Sequence, residues 1–405
     1  MAIQTTSSVE TARLSDTISL ILLAKVFPAE QINRILGETH KASIRERKLP
    51  ATLMVYYIMA LALYMGTSCQ DVLEHVFTAL KWFSKPDNRI RTAAKSAISQ
   101  ARARLGEMPM KKLYEQLVGP IATINTREAY YRKWHLVSID ATTMNIADTP
   151  ENELEFGRPG FSHGDATAFP QMRFCSLVEN GTHVLFGANL GPCTVGEMTL
   201  VESVIKHLRP GMLALADRGF FSYDLWKAAS TTGADLLWRV KKNLILPCIK
   251  RLPDGSYLSK IYPSPKARKY DTDGIVVRVI EYKLSGLSIP GKDSIYRLIT
   301  TILDYNLAPA TELAVLYADR WSIETAFDEL KTHMCGAKII LRSKTPEGVR
   351  QEFWGFLLAH HAVRTIMHDA ALQLDIPPQR LSYVHTVRVI QRNLPFFIVC
   401  PPNNG

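Results

Sequence analysis

Trp134-His-Leu-Val-Ser-Ile-Asp140 is a short apolar run that closes on a carboxylate, and its reading decides the fold. Its length and composition suit a buried strand. A carboxylate leaving such a strand is costly unless it is paired, and a divalent cation is one partner it can take. Downstream, Arg173 to Val178 and Thr182 to Gly187 flank Glu179-Asn180-Gly181 and read as a hairpin. A helix follows over Glu197 to Leu208, then a buried strand over Met212 to Ala216 that closes on Asp217. A second helix, Tyr223 to Ser230, leads to a strand over Asp235 to Val240.

This βββ-α-β-α-β order is followed by a β-rich, basic stretch from Lys241 to about Lys292, which contains the Asp254-Gly255 turn and a strand over Ile275 to Ile280. The core then resumes with Ile295 to Leu303. A long helix follows from Pro309 or Thr311 through Lys331, with Ala310 or Thr311 near its cap. Such an order is that of an α/β, ribonuclease H-like core with an insertion. In that fold, acids from the first strand, the fourth strand and the last helix converge, and Asp140, Asp217 and Glu324 occupy those places.

Before Trp134 the texture is helical. Apolar residues recur at three and four positions through Ile18 to Val26, Ala51 to Leu63 and Val72 to Leu80, punctuated by Pro28, Pro50, Pro86 and Pro109. The chain carries 48 Lys and Arg against 38 Asp and Glu, a net charge of +10, which draws a polyanion. Much of the excess lies in Lys81 to Lys112. There Lys81, Lys85, Arg89, Arg91, Lys95, Arg102, Arg104, Lys111 and Lys112 face only Asp87 and Glu107, for a local charge of +7. Lys95, Arg102 and Arg104 fall on one helix suited to phosphates or a groove. A merely solvated basic face has the same composition.

The segments group into a helical amino-terminal DNA-binding domain (1–126), a catalytic domain (127–345, with the insertion at about 241–292) and a carboxy-terminal helical region and tail (346–405). No secretory signal opens the sequence, and the uncharged run Leu49 to Met65 is shorter than the ~20 residues a membrane span needs, so no membrane partner is expected. The six cysteines are scattered, with no C-x-x-C pair, and read as free thiols in a reducing cytosol rather than a zinc site.

Phosphodiester cleavage needs an activated water or 3′-hydroxyl on one side and a stabilised leaving oxygen on the other. Two Mg²⁺ ions do both, with Mn²⁺ as a substitute, and three carboxylates can hold the pair. A single Asp at a strand end is more often a cap or turn residue, so the case rests on three acids at three fitting places. Asp148, Asp165 and Asp304 are set aside: Asp148 precedes Thr149-Pro150 as a turn, and Asp304 closes a strand. Around Glu324, the residues Tyr317, Arg320 and Lys331 follow helical spacing onto one face. Glu324 would ligate metal, Arg320 and Lys331 would contact phosphate oxygens, and Tyr317 would donate to a phosphate. Glu329 is one position off the pattern and is expected to face solvent.

Tyr317-Ala-Asp-Arg320-Trp-Ser-Ile-Glu324-Thr-Ala-Phe-Asp-Glu-Leu-Lys331 resembles, at every position, the Y-x₂-R-x₃-E-x₆-K signature of insertion-sequence-4 transposases. Asp140-Ala-Thr-Thr and Ala216-Asp217-Arg-Gly-Phe-Phe-Ser222 are similar to that family's other acidic regions, and Lys95 to Gly106 to its DNA-binding part. The resemblance implies a DNA transposase that binds the terminal inverted repeats of an insertion sequence and catalyses metal-dependent strand cleavage and strand transfer. The partners implied are double-stranded DNA, at the element's ends and at the target, and a second copy of the chain in a homodimeric DNA complex. The protein would be cytoplasmic and nucleoid-associated when on DNA. It also implies that the insertion holds a DNA hairpin, with an aromatic against a displaced base, for which Trp238, Tyr257, Tyr262 and Tyr270 are candidates. A non-catalytic DNA-binding descendant and another metal-dependent nuclease are the competing readings.

Overall fold

In the computed structural model, the described residues are 22–45, 49–81, 93–159, 169–283, 295–320, 326–327, 329–330 and 340–392. Glu324, Lys331, Asp165, Lys85, Arg89 and Arg91 lie outside them. Among the described residues the chain opens helically, through α1 (Ala29–Glu38), α2 (Ala51–Leu63), α3 (Cys69–Lys81), α4 (Lys95–Leu105) and α5 (Met108–Leu117). Of the expected helix over Ile18 to Val26, the described part, 22–26, is helical.

Strands β1 (Tyr130–Tyr131) and β2 (Trp134–Ile146) lead through α6 (Pro150–Phe156) to the hairpin β3 (Gln171–Glu179) and β4 (Leu185–Pro192). Next come α7 (Glu197–Val204), β5 (Met212–Ala216), α8 (Tyr223–Ser230) and β6 (Asp235–Arg239). The insertion supplies β7 (Lys250–Arg251), β8 (Tyr257–Ile261), α9 (Pro265–Lys269) and β9 (Ile275–Lys283). Last are β10 (Ile295–Thr300), α10 (Ala310–Asp319), β11 (Ile340–Leu341), α11 (Pro346–Leu374) and α12 (Tyr383–Arg392).

Among the described residues one sheet holds eleven strands, in the order β4-β3-β2-β5-β6-β10-β9-β8-β7, with β1 and β11 on β2. The β3 and β4 strands run antiparallel on one side of β2, and β5 and β6 run parallel on the other. That is the ribonuclease H-like core. The insertion does not interrupt this sheet. It lengthens it, because β10 pairs antiparallel with β6 and then with β9, which pairs with β8. Without those strands β6 would be an edge with unpaired N–H and C=O groups.

Strand β2 also runs past the expected end at Asp140. Its ladder with β3 continues from Asp140↔Ser176 to Asn145↔Gln171, whereas its parallel ladder with β5 ends at Ile139↔Ala216. Asp140 therefore sits where the β5 neighbour stops.

The two faces of the sheet bury different clusters. Val137, Ile139, Ala214, Ala216, Leu236 and Trp238 share one. Trp134, Leu136, Leu213, Leu215 and Leu237 share another with Leu313 and Tyr317 of α10. A third core joins α2, α11, the end of β2 and Phe174 of β3. Every residue of α2 from Leu53 to Leu63 is buried, which accounts for the uncharged run. Gly355 lets α11 lie against it, since a Cβ there would stand 2.5 Å from Ile58 Cγ2 and 3.0 Å from the Ile58 carbonyl oxygen. The amino-terminal helices and α11 thus share one core. Among the described residues, no helix is long and apolar enough to cross a membrane, and Cys69, Cys175, Cys193 and Cys248 are free thiols.

Candidate active site

Strand register builds the site. Ile139 pairs with Ala216, and Ala216 with Trp238, so the next residues, Asp140, Asp217 and Arg239, form one row across three parallel strands. Neighbouring Cα atoms in such a row lie ~4.8 Å apart. Side chains alternate along a strand. Because Leu136, Leu215 and Leu237 belong to the cluster under α10, Asp140, Asp217 and Arg239 project to that same face. Both aspartates are half-buried. The Asp140 Oδ1 accepts the Ala141 N–H at 2.8 Å. The Asp217 Oδ1 is enclosed, has no hydrogen-bond donor among the described residues, and stands 3.6 Å from Arg239 Nη1. An enclosed carboxylate oxygen without a donor, beside a second carboxylate, suits a hard cation. Among the described residues no three acids, histidines or cysteines gather into a metal site; the expected third acid, Glu324, lies outside them.

Helix α10 and its C-cap bring two signature residues, Tyr317 and Arg320, to this row. Tyr317 is buried, and its hydroxyl donates to the Ala216 carbonyl oxygen at 3.3 Å, directly before Asp217. Burial pushes its phenol well above the ordinary value. The phosphate role expected of Tyr317 does not fit this place: the ring is covered, and its hydroxyl braces α10 on the end of β5. Arg320 is 7% exposed, its guanidinium is 5.6 Å from the Tyr317 ring centroid, and its Nε has no hydrogen-bond partner among the described residues. A nearly buried cation with an open donor suits an anionic oxygen.

Two residues that periodicity did not single out also belong here. The Arg239 guanidinium is 4.5 Å from the Tyr296 ring centroid, and Tyr296 stacks on Tyr282 at 5.5 Å. Arg239 reads in the sequence as one more strand residue; only pairing β6 with β5 puts it beside Asp217. Of the aromatics expected against a displaced base, Trp238 is fully buried, edge-on to Trp226, because it faces the opposite side of the sheet. Tyr257 bonds Glu281, Tyr262 bonds Asp271, and Tyr270 is 62% exposed.

Glu329 corrects the sequence reading. It is 8% exposed and forms a buried ion pair with Arg364 of α11. The Arg364 guanidinium also reaches His183 Nδ1 at 3.0 Å. Residues 326–327 and 329–330 are helical, 329–330 in a wider π-type turn. Ala326, Phe327 and Leu330 fill the core around this pair. Helical spacing put Glu329 off the signature face, and α11 covers the face it does occupy.

On the amino-terminal side, α4 buries Ile98, Ala101 and Leu105 and exposes Lys95, Ser96, Ser99, Gln100, Ala103 and Arg104. Arg102 departs from expectation by turning inward. Its Nε donates to Gln351 Oε1 at 2.9 Å, and its Nη2 to Ser343 Oγ at 2.8 Å and the Gly348 carbonyl at 3.1 Å. Part of the local charge is also paired, Lys112 with Glu38 at 2.9 Å and Lys111 with Glu115 at 3.9 Å. Asp148 pairs with Arg158 at 2.6 Å, and Asp304, four residues past the end of β10, accepts the Asn306 N–H at 2.9 Å.

A ribonuclease H-like sheet with two aspartates side by side where β5 ends, backed by a helix that closes on a nearly buried arginine, is the framework of enzymes that cut and join polynucleotides. Residues 17–115 match the family described as insertion element 4 transposase N-terminal, and residues 135–361 match the transposase DDE domain. The chain is 30% identical over 378 residues to the Escherichia coli transposase InsG for insertion sequence element IS4, covering 93% of this chain and 83% of that protein. It is 26% identical over 221 residues to the putative E. coli transposase InsZ, covering 54% and 70%. A solved piggyBac transposase synaptic complex with hairpin DNA aligns over 92% of this chain and 79% of that one, with a TM-score of 0.48 and 12% identity. The chain belongs to the insertion-sequence-4 family of DDE transposases. It is a DNA transposase, and its family works with divalent metal ions on DNA.

Proposed function

We propose that this transposase cuts and rejoins DNA with Asp140, Asp217 and Glu324 holding two Mg²⁺ ions. The observation that carries the reading is the row Asp140-Asp217-Arg239 on the sheet face covered by α10. Glu324 follows Arg320 by four residues in the sequence, and so falls to the same helical face if the helix continues. When bound, the ions supply activation of the attacking water or 3′-hydroxyl and stabilisation of the leaving oxygen.

The chain's own groups orient the DNA. Arg320, with its open Nε, and Lys331 hold phosphate oxygens, and Arg239 limits how far Asp217 can turn from the row. Lys95 and Arg104 on the exposed side of α4 contact the phosphates of the terminal inverted repeat. The protein acts as a homodimer on the two element ends, in the cytoplasm, on the nucleoid when bound. The domains are those drawn from the sequence: 1–126 for DNA binding, 127–345 for catalysis, and 346–405 as the closing helices.

Glu324→Gln tests this reading, because it keeps shape and helix propensity while removing the ligand charge. On a duplex carrying the element end, nicking in Mg²⁺ should fall by orders of magnitude while gel-shift affinity survives. A variant that nicks as fast as a Mg²⁺-dependent parent would remove Glu324 from the site. Retained DNA binding by a parent that never nicks would favour the non-catalytic reading.

A further inference from the structure

Helix α10 begins without a cap of its own: Pro309 holds the N-cap position and offers no side-chain acceptor. The acceptor comes from the insertion, where Asp254 Oδ2 takes the Ala310 N–H at 2.8 Å. That oxygen also receives Nη2 of Arg278, a residue of β9 that is fully buried. The other donors of Arg278 complete a closed bridge, Nε to Ser256 Oγ at 2.8 Å and Nη1 to the Ala308 carbonyl at 2.7 Å. The Ser256 hydroxyl donates in turn to Asp254 Oδ1 at 2.5 Å. Burial alone would raise the Asp254 carboxyl, but Ser256, the Ala310 N–H and the Arg278 charge hold it below its ordinary value.

A buried ion pair is costly to desolvate and holds only where its geometry is well satisfied. Here each of these partners lies either in the insertion or in the chain entering α10. The first turn of α10 is gripped from β1 as well, since the Tyr131 hydroxyl donates to Glu312 at 2.6 Å and Arg132 pairs with Glu312 at 3.0 Å. At the far end, Tyr317 touches the carbonyl before Asp217. A helix of this length is stiff, so a shift at its first turn moves its last.

We propose that Asp254, fixed by Arg278, is a positioning residue for DNA cleavage: the insertion sets the axial place of α10, and through it that of Tyr317 and Arg320. The insertion is therefore part of the catalytic scaffold as well as a surface for DNA. This inference rests on the assignment of Asp140, Asp217 and Glu324 made above.

The test uses the full chain and a duplex carrying the element end, comparing Asp254→Ala, Asp254→Asn and Glu324→Gln with the parent. Single-turnover nicking at saturating DNA, gel-shift affinity and thermal melting are read for each. With the fold intact at the assay temperature, Asp254→Ala should cleave about 10–100-fold more slowly at unchanged affinity. Asp254→Asn keeps an oxygen for the Ala310 N–H and should recover part of the loss. A folded Asp254→Ala that cleaves at the parental rate overturns the inference, as does a loss in which rate, affinity and melting fall together. If Asp254→Ala does not fold, Asp254→Asn decides: slower cleavage at unchanged affinity supports positioning, and the parental rate overturns it. Glu324→Gln separates the two readings. An inactive Glu324→Gln beside a parental Asp254→Ala defeats this inference alone, whereas parental rates in both defeat the acid assignment as well.

Discussion

Replacing Arg102 by Ala should weaken the fold and leave the salt dependence of DNA binding unchanged, whereas Arg104→Ala should do the reverse. The Arg102 guanidinium makes three hydrogen bonds into the start of α11, to Gln351, Ser343 and Gly348. Bonds involving a charged group each contribute roughly 1.5–3 kcal/mol, and three from one half-buried side chain add less than their sum. Removing them, and leaving the Gln351 and Gly348 oxygens without those donors, should cost about 2–4 kcal/mol. With an unfolding entropy near 2.1 cal/mol/K per residue, that lowers the melting temperature by ~2–5 °C if all 405 residues unfold together. Each neutralised phosphate adds about 0.9 to the slope of log affinity against log salt. Exposed Arg104 should therefore lower the slope by ~0.9 when lost, and Arg102 should not change it. Thermal melting and fluorescence anisotropy across a salt series, on a duplex with the terminal repeat, measure both. A slope flattened by Arg102→Ala with melting unchanged would refute the inward seating. A slope unaffected by Lys95→Ala and Arg104→Ala together would take α4 off the DNA surface.

Two further outcomes concern buried charge on α11. Glu329→Gln or Arg364→Met alone leaves an unpaired buried group and should destabilise by about 3–5 kcal/mol, whereas changing both should recover most of that loss; simple additivity in a double-mutant cycle by urea unfolding would show that the pair is not coupled. Burial holds His360 down at about 3 and His361 at about 4, so both stay neutral in the fold while the unfolded chain takes up protons below about 6.5. Because the unfolded state then binds more protons, stability should fall as pH drops from about 6.5 towards 4, by up to ~1.4 kcal/mol per pH unit for each histidine. Urea unfolding of His360→Phe should show a shallower decline, and an unchanged pH dependence would contradict the neutral, buried assignment.

Local periodicity carried much of the fold. The alternation and apolar runs of Trp134 to Asp140, Met212 to Ala216 and Asp235 to Val240, with helices over Tyr223 to Ser230 and Pro346 to Leu374, appear at or near the expected bounds. So does the class of chemistry, because carboxylates that end apolar runs are visible in the order of residues alone. Strand pairing is not local, and it decided the rest. It put Arg239 in the row of Asp140 and Asp217, turned Trp238 to the far face, and made the insertion an extension of the sheet. Packing between distant helices settled what helical spacing leaves open, namely which partner covers a given face. Arg102 looks like a DNA contact in a basic segment until α11 lies against it, and Glu329 looks solvated until Arg364 meets it. A side chain's charge and its place on a helix are written in the sequence; whether water, DNA or another part of the chain satisfies that charge depends on contacts between residues hundreds of positions apart, which only the folded chain brings together.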